Sequence, residues 1–533
     1  MAKSKKEKST TFQKKLFTFI KKNKYQILVG LILLLALSLR FYNFFDRWGL
    51  GNDEARDVAI AREALARHEI PLIGSFSSAG PFVFGPFFYW YIMLSYMLVP
   101  FVYTAPWILL ELIGVGTVVI LMYCAKKIAG NNFALVVGLL AATSPQLVVR
   151  SLLLGQHSFI APLAALMILF LLFLIEKKKL IFAFLMGVAI GAAINFHTQA
   201  INLLIFSPVI FFIPGITWRY KIIGFLVTLA GVLLSLSPLI IWDAPQQFAN
   251  FRNILDYLLI GQHRIYVPNS WRLFLFNYLP HYWAFVVGGK EFISLILMSL
   301  VGLLIPLAIY RRKFPNILFY LLIPFAILLL VNRYYKGERS ESYLIYFLPM
   351  ILLFTSYAIY TLFQKGVVPR KLLRLCQIFG VVTLTIITSM HLFVLSRILL
   401  PSPVAIFERT IDELTQKMPG RKFVIYDYKG RISATSQPLS LLLHKRGLTD
   451  KEGVPIGVSC YDRCINNYPR IISTPVLIID LSSDTKHKTE KGPKRTWINV
   501  NQEAMYDDLI GWSKRHELTS TFSFSKYIES RFK

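Results

Sequence analysis

Residues 25–39 read YQILVGLILLLALSL, and RFYNFFDRWGLGNDEARDVAIAREALARHEIPLIG follows at once at residues 40–74. Apolar runs of similar length recur as far as residue 396, for example LLIPFAILLLV at 321–331. About 20 apolar residues suffice for a helix to cross the hydrocarbon core of a bilayer. Lipid offers no partner to an unpaired backbone amide, so these runs predict an α-helical polytopic membrane protein.

The composition excludes ordinary soluble domains. Of the 533 residues, 55% are hydrophobic and only 16% are charged, which is too apolar for a soluble globular chain. The alternation of apolar and polar residues that marks a transmembrane barrel is not visible. The net charge of +29 arises mostly from short Lys and Arg clusters beside the apolar runs, so it indicates membrane topology and predicts no nucleic-acid partner.

Basic clusters predict the orientation of the chain. Residues 1–24 form a basic tail that runs into the first span without a cleavage site, so we expect a retained cytoplasmic tail. Four more clusters are assigned to the cytoplasmic side: 176–179, 218–221, 311–313 and 365–374. The intervening spans then alternate, with a pair at 180–196 and 198–214 and a long external loop at 242–290. A cytoplasmic N-terminus and an external C-terminal region require an odd number of spans, and we expect about eleven, with thirteen possible. The expected location is the plasma (inner) membrane.

The composition changes near residue 398. Residues 25–397 are predicted to form the transmembrane domain, with a first external loop at 43–85. Residues 398–533 contain the strand-like runs KFVIYDY (422–428) and TPVLIIDL (474–481) and an amphipathic stretch near 503–516, which predict a small soluble α/β domain outside the cytoplasm. Cys460 and Cys464 either close a local disulfide there or remain two free thiols.

The first external loop carries the most informative residues. After Asp53 and Glu54, apolar and charged residues alternate as in a helix that lies along the membrane surface. Asp53 therefore falls near a helix N-terminus. One interpretation is that it is an N-cap and has no catalytic role. A carboxylate at this place could equally take a proton from an acceptor hydroxyl that attacks a sugar C1, as a general base does.

The wider pattern resembles the GT-C superfamily of glycosyltransferases. A first span that ends in Arg-Phe-Tyr, an Asp-Glu-Ala helix start, and GPFFYWY at 85–91 are similar to the bacterial branch of protein O-mannosyltransferases and aminoarabinose transferases. The resemblance implies an inverting transfer of sugar from a polyprenyl-phosphate donor to a protein, lipid or glycan acceptor on the extracytoplasmic face. It implies Asp53 as the catalytic general base and Glu54 as its neighbour in the active site.

Several residues are candidates for the donor phosphate. Arg150 falls where relatives carry a Ser-Arg pair, although Val149 replaces the Ser here and Gln156 and His157 stand near the place of a downstream acid. A leaving lipid phosphate calls for cations that take up its charge, and the candidates on the outer side are Arg150, His157, His197, Arg333, Lys336 and Arg339. Tyr89 and Asp243 are expected to line the substrate cavity. No cofactor is required by the sequence, and the resemblance allows a divalent metal with Glu54 and His157 as candidate ligands.

Two other functions fit a polytopic basic chain. A lipid or solute transporter or flippase would carry paired repeats and charged, broken helices at the membrane midplane, whereas these acids lie in an external loop. A surface-polysaccharide polymerase or ligase would share the donor lipid and differ in its acceptor. The sequence leaves the sugar and the acceptor open.

Overall fold

The structure is a computed structural model, and it describes residues 21–77, 80–100, 102–260, 270–335, 341–398, 403–427, 436–449, 454–459, 474–480 and 495–500. Three features of the sequence analysis lie outside these residues: Cys460 and Cys464, whose disulfide or free-thiol state was left open, the basic tail before residue 21, and the amphipathic stretch near 503–516.

The described chain is mostly helical. The helices are α1 Lys24–Phe41, α2 Phe44–Arg47, α3 Asn52–Ala66, α4 Phe87–Leu98, α5 Ala105–Ala129, α6 Asn131–Thr143, α7 Pro145–Leu152, α8 Ile160–Lys177, α9 Leu180–Phe196, α10 Trp218–Asp243, α11 Ala249–Leu259, α12 Ser270–Leu273, α13 Leu279–Val286, α14 Glu291–Tyr310, α15 Asn316–Tyr334, α16 Leu348–Thr361, α17 Leu373–Ile398, α18 Pro403–Lys417 and α19 Ser436–Lys445. Tighter 3-10 segments are Gln156–Phe159, Thr198–Phe212, Ala244–Gln246, Glu341–Phe347 and Arg370–Leu372, and Phe274–Tyr278 is a π-helical turn.

Eight helices in the described residues are long and apolar enough to cross a membrane, or nine if the bent pair α6 and α7 forms one span. The shorter apolar helices Phe87–Leu98, Leu180–Phe196 and Thr198–Phe212 include the pair predicted at 180–196 and 198–214. The multi-pass architecture is thus confirmed, while the count of eleven to thirteen spans stays a prediction.

The span formed by α6 and α7 is broken at a recognisable sequence signal. The two helices meet at an angle of 51°, and Ser144 and Pro145 stand at the break. The Ser144 hydroxyl accepts the backbone N–H of Leu147 at 3.5 Å and donates to the carbonyl of Val286 at 2.8 Å. Ser is a favoured N-cap and Pro a favoured first helical residue, so this dipeptide starts a new helix.

Helix α3 packs against the chain that follows α17. One apolar cluster contains Val58, Ala61 and Ala64 of α3 together with Ile411 of α18 and Leu442 of α19, all of them buried. Burial of these side chains against one another favours a fixed position of α3, because removal of apolar surface from water is the main favourable contribution to packing.

A small sheet follows α18. Its strands β1 Phe423–Asp427, β2 Val454–Ser459, β3 Thr474–Asp480 and β4 Arg495–Val500 lie in the order β1-β2-β3-β4. The first three are parallel and β4 is antiparallel to β3, with Thr474 opposite Val500. Both strand-like runs of the sequence analysis therefore lie in strands, and a separate extracytoplasmic domain stays a prediction.

Candidate active site at the start of helix α3

The two acidic residues of the first external loop lie in the first turn of α3. Gly51 is the N-cap, in an extended conformation, so the interpretation of Asp53 as the N-cap was wrong. The side chain of Asp53 is 77% exposed, and its Oδ1 accepts from Arg56 Nη1 at 2.7 Å. The Glu54 Oε2 atom accepts the backbone N–H of Gly51 at 3.0 Å. The adjacent carboxylates therefore have different surroundings, one in solvent and one folded back on the loop.

The environment of Glu54 changes its acidity. Burial raises the pKa of Glu54 to about 7, the negative charges of Asp53 and Asp57 add to this shift, and backbone hydrogen bonds such as the one from Gly51 oppose it. Burial disfavours the charged form of a carboxyl, and so do neighbouring carboxylates. A carboxyl with such a pKa changes its charge near neutral pH, which is the range in which acid-base groups of active sites act.

A second carboxylate connects α3 to the next helix. Asp57 is buried and accepts both Arg56 Nε at 2.8 Å and Arg56 Nη2 at 3.1 Å, and the Tyr89 hydroxyl donates to its Oδ1 at 3.3 Å. Tyr89 itself is completely buried. Tyr89 therefore connects α4 to the buried face of α3. Its place in a substrate cavity stays a prediction.

Arg150 reaches the site from the broken span. It lies in the last turn of α7, and its Nη2 donates to the Ser342 hydroxyl at 2.8 Å. Its Nε is buried without a hydrogen-bond partner among the described residues. The carboxylates of Glu341 and Glu54 lie within electrostatic reach of its guanidinium. Because a buried donor without a partner is costly, this arginine is suited to binding an anion.

The two predicted histidines lie side by side, with their ring planes tilted by 36°. The rings of His157 and His197 lie 4.2 Å apart, and the ring of Tyr343 lies 6.0 Å and 5.8 Å from them. Phe84 covers the other side of His197, with 4.6 Å between ring centroids. The His157 Nε2 atom is buried and has no hydrogen-bond partner among the described residues. Arg150 acts electrostatically on His157. Arg150 Nε and His157 Nε2 therefore belong to one cluster.

A cavity of about 300 Å³ adjoins the histidine pair. Its lining is rich in tyrosine and amide side chains and includes Gln199, Asn202, Tyr257, Tyr335 and Tyr343. The Tyr257 and Tyr335 hydroxyls are hydrogen-bonded to each other at 2.8 Å. Aromatic faces beside amide groups can both stack on a sugar ring and hydrogen-bond its hydroxyls.

The remaining predicted residues have other surroundings. Arg333 lies at the end of α15, over the rings of Trp271 at 5.0 Å and Tyr334 at 5.4 Å, and Lys336 and Arg339 lie outside the described residues. Asp243 is buried, and its two oxygens accept the backbone N–H groups of Asn250 at 2.9 Å and Phe251 at 3.0 Å. Asp243 thus stabilises the start of α11, because it accepts from backbone groups that the helix leaves unpaired.

A metal site was a further candidate. Among the residues that the structure describes, no group of three or more His, Cys, Asp or Glu side chains is arranged to hold a metal ion. Glu54 and His157 therefore do not belong to a complete ligand set, since two protein ligands fall short of the three or four that zinc sites use.

Sequence reasoning missed several neighbours of the predicted residues. Ser342 and Tyr343 contact Arg150 and the histidine pair although they lie almost 200 residues after Arg150. His281 joins the same region, because its Nε2 atom lies 2.7 Å from a carboxylate oxygen of Glu341 and its Nδ1 atom 2.7 Å from one of Glu291. Nothing local in the sequence signals these long-range contacts. The helix start at Ser144-Pro145, in contrast, has a local sequence signal that could have been recognised.

Comparison with known families supports the resemblance. Residues 81–242 match the family model of dolichyl-phosphate-mannose-protein mannosyltransferases. The matched segment begins after Asp53 and Glu54 and includes Arg150, His157 and His197. No curated protein matched the chain in a sequence comparison.

Two solved structures of ArnT share the fold. The chain is similar to ArnT from Cupriavidus metallidurans bound to undecaprenyl phosphate, with a TM-score of 0.53, 13% identity, and coverage of 88% of this chain and 97% of that one. For the apo state of ArnT the TM-score is 0.51, at 13% identity and with coverage of 87% and 93%. The archaeal oligosaccharyltransferase AglB from Archaeoglobus fulgidus gives 0.49 at 14% identity, with 75% of this chain and 59% of AglB covered.

The predicted resemblance to the GT-C superfamily is therefore confirmed. ArnT is a GT-C glycosyltransferase, and its fold extends over most of this chain. At 13% identity the similarity shows the fold, while the family model relates residues 81–242 to mannosyltransferases by sequence.

Proposed function

We propose that this protein is a membrane glycosyltransferase that moves a sugar from a polyprenyl-phosphate carrier to an acceptor on the extracytoplasmic face. The family match and the GT-C fold support the class of reaction. The acceptor is a protein, a lipid or a glycan. The N-terminus lies in the cytoplasm and the C-terminal region outside, as the basic clusters predict.

One observation carries the proposal. Glu54 in the first turn of α3 lies within electrostatic reach of Arg150, and Arg150 in turn acts on His157. The buried Arg150 Nε and His157 Nε2 atoms have no hydrogen-bond partner among the described residues. A site for a sugar phosphate needs this combination, because a base acts on the acceptor while cations take up the charge of the leaving group.

The reaction follows from the positions of the charges. The acceptor hydroxyl approaches from the solvent side, where Asp53 is exposed, and it gives its proton to the Asp53 carboxylate. Arg56 holds only Oδ1 of Asp53, which leaves Oδ2 for this proton. The acceptor oxygen forms a bond to C1 of the sugar as the bond from C1 to the phosphate oxygen breaks. Attack on the face opposite the leaving group inverts the anomeric centre.

Arg150 receives the leaving phosphate in this proposal. A guanidinium can donate two parallel hydrogen bonds to phosphate oxygens, which an ammonium cannot do with the same geometry. Ser342 occupies only one Nη atom, so the unpaired Nε remains for the phosphate. His157 Nε2 lies in the same cluster and supplies a further hydrogen bond when that nitrogen carries a proton. The polyprenyl chain remains in the bilayer between the helices.

A flippase is the rival function, and the products of the two activities differ. We expect purified wild-type protein, given a polyprenyl-phosphate sugar with a radiolabelled sugar and a mixture of envelope acceptors, to release unglycosylated polyprenyl phosphate and label an acceptor. A nucleotide-sugar donor is the control and should give no label. Movement of intact donor across a vesicle bilayer without release of polyprenyl phosphate would contradict the proposal and favour the flippase.

A further inference from the structure

A basic cavity lies at the membrane face opposite the Arg150 site. The segment Glu341–Thr361 contains 21 residues, which corresponds to about 30 Å of helix. Its first turn includes Tyr343, which lies beside the histidine pair of the Arg150 site. At its far end the chain turns at Lys365. This turn, the turn after α14 and the start of the last span enclose a cavity lined by Arg311, Lys365, Val367, Arg370 and Leu373. An adjoining cavity shares Lys365 and adds Lys313 and Phe363.

The cations of these joined cavities are not neutralised within the protein. Arg311, Lys313, Lys365 and Arg370 form no ion pair with any acidic side chain among the described residues. At other basic clusters on the same face a partner is present, as where Lys127 binds Glu176 at 2.9 Å. Four like charges repel one another, so an anion between them is favoured.

The backbone at the two turns supports a built site. Arg312 adopts a left-handed conformation with φ of 53°, which is uncommon for a residue other than glycine, and Gly366 has φ of 92°. A Cβ atom on Gly366 would lie 3.2 Å from Lys313 Cε. The Lys313 side chain therefore lies next to the turn at Gly366, beside Lys365.

The chemistry of the lining indicates a lipid. Cationic groups lie beside apolar side chains such as Leu373, Val367 and Phe363 at the ends of membrane spans. A phosphate-bearing headgroup would meet the cations while the first methylenes of its acyl chains contact the apolar side chains. A free phosphate compound would use the cations alone.

We propose that this cavity binds the headgroup of an anionic phospholipid from the leaflet opposite the reaction site. The proposal is independent of the glycosyl transfer, because none of its residues contacts the α3 site. Basic residues at the end of membrane spans attract anionic headgroups, and the two turns bring these cations to one place.

The test is a titration of the purified full-length protein, in a neutral detergent, with phosphatidylglycerol, followed by native mass spectrometry of the retained lipid. We expect Lys365→Gln/Arg370→Gln to weaken the tightest binding step by about tenfold or more. The matched control is Lys179→Gln/Arg219→Gln, which also removes one Lys and one Arg from exposed loops on that face and should bind like the wild type. Arg311→Gln alone should weaken binding in the same direction and by less.

Three results would overturn the proposal. Equal weakening in the control would show general surface attraction instead of a site. Absence of retained phosphatidylglycerol on the wild type would remove the ligand. Displacement of the lipid by inorganic phosphate at equal concentration would assign the cavity to a soluble phosphate compound.

Discussion

For Arg150, the sequence predicted the residue but not its hydrogen-bond partner. The Lys and Arg pattern and the resemblance to a known family indicated this arginine, because a leaving phosphate needs a cation. The sequence did not indicate its hydrogen bond to Ser342, since the partner lies in a distant segment that only tertiary packing brings near. The same holds for Asp243. Its position at the start of a long loop predicted a cavity residue, but the sequence did not indicate that it accepts backbone N–H groups of α11.

Replacement of Arg150 by lysine tests its geometry. We expect Arg150→Lys to raise the KM for the donor by about tenfold or more, because hydrogen bonds to a charged group contribute roughly 1.5–3 kcal/mol each and lysine cannot pair bidentately. Steady-state kinetics with varied donor provides the measurement. Arg219→Lys, at an exposed position, is the control. An unchanged KM in Arg150→Lys would remove the guanidinium from donor binding.

The pKa of Glu54 predicts that the KM for the donor depends on pH. Its pKa of about 7, raised by burial, means that the carboxyl is protonated at lower pH and charged at higher pH. The charged form of Glu54 competes with the donor phosphodiester for Arg150. The phosphodiester keeps one negative charge over this pH range. The donor KM should therefore rise as pH increases through about 7 in the wild type. Glu54→Gln should abolish this rise, and a rise that persists in the variant would refute the assignment.

At the scale of helices, the apolar runs predicted the elements well. The predicted span at 180–196 corresponds to α9, and the apolar run at 321–331 lies in α15, because length and hydrophobicity predict a membrane helix. The break at Ser144 was not predicted, although its Ser-Pro signal is local. The 3-10 form of Thr198–Phe212 was not predicted either, since it depends on neighbours and not on composition.

Close packing of α9 against α10 depends on glycine. A Cβ atom on Gly187 would lie 2.0 Å from the carbonyl oxygen of Thr228, and one on Gly191 would lie 2.6 Å from that of Val232. Small residues four apart allow membrane helices to approach at backbone distance. Gly187→Val should therefore destabilise the protein by roughly 1–3 kcal/mol.

Thermal melting in detergent checks this prediction. Gly302→Val is the matched control, because an added Cβ at Gly302 meets no atom within 4 Å, and it should melt like the wild type. If both variants melted at the wild-type temperature, the close approach of α9 and α10 would be wrong.

At the scale of the whole molecule, the C-terminal region contacts the helix that begins with Asp53 and Glu54. The sequence predicted an appendage by its change of composition, yet periodicity cannot tell where such a region packs. The structure places α18 and α19 against α3 in one apolar cluster. The cation of Lys445 in α19 also lies 5.5 Å from the ring centroid of Tyr103, which Arg62 of α3 approaches to 5.0 Å.

This packing predicts that the C-terminal region supports catalysis. Leu442 is completely buried in the cluster, so Leu442→Asp should lower both the melting temperature and the kcat for transfer, because a buried unpaired charge displaces α19 from α3. Leu442→Met conserves volume and should retain both properties. The assay is sugar transfer by purified variants at matched amounts. Full activity of Leu442→Asp would separate the C-terminal region from the site.

The central claim is that Asp53 acts as the general base of sugar transfer. The most direct measurement is the kcat of Asp53→Asn with a saturating polyprenyl-phosphate sugar, beside Glu69→Gln, which neutralises an exposed acid of the same loop. We predict a loss of roughly 10²-fold or more in Asp53→Asn and wild-type activity in Glu69→Gln, because general-base catalysis contributes on that order. Equal kcat values in wild type and Asp53→Asn would contradict the account.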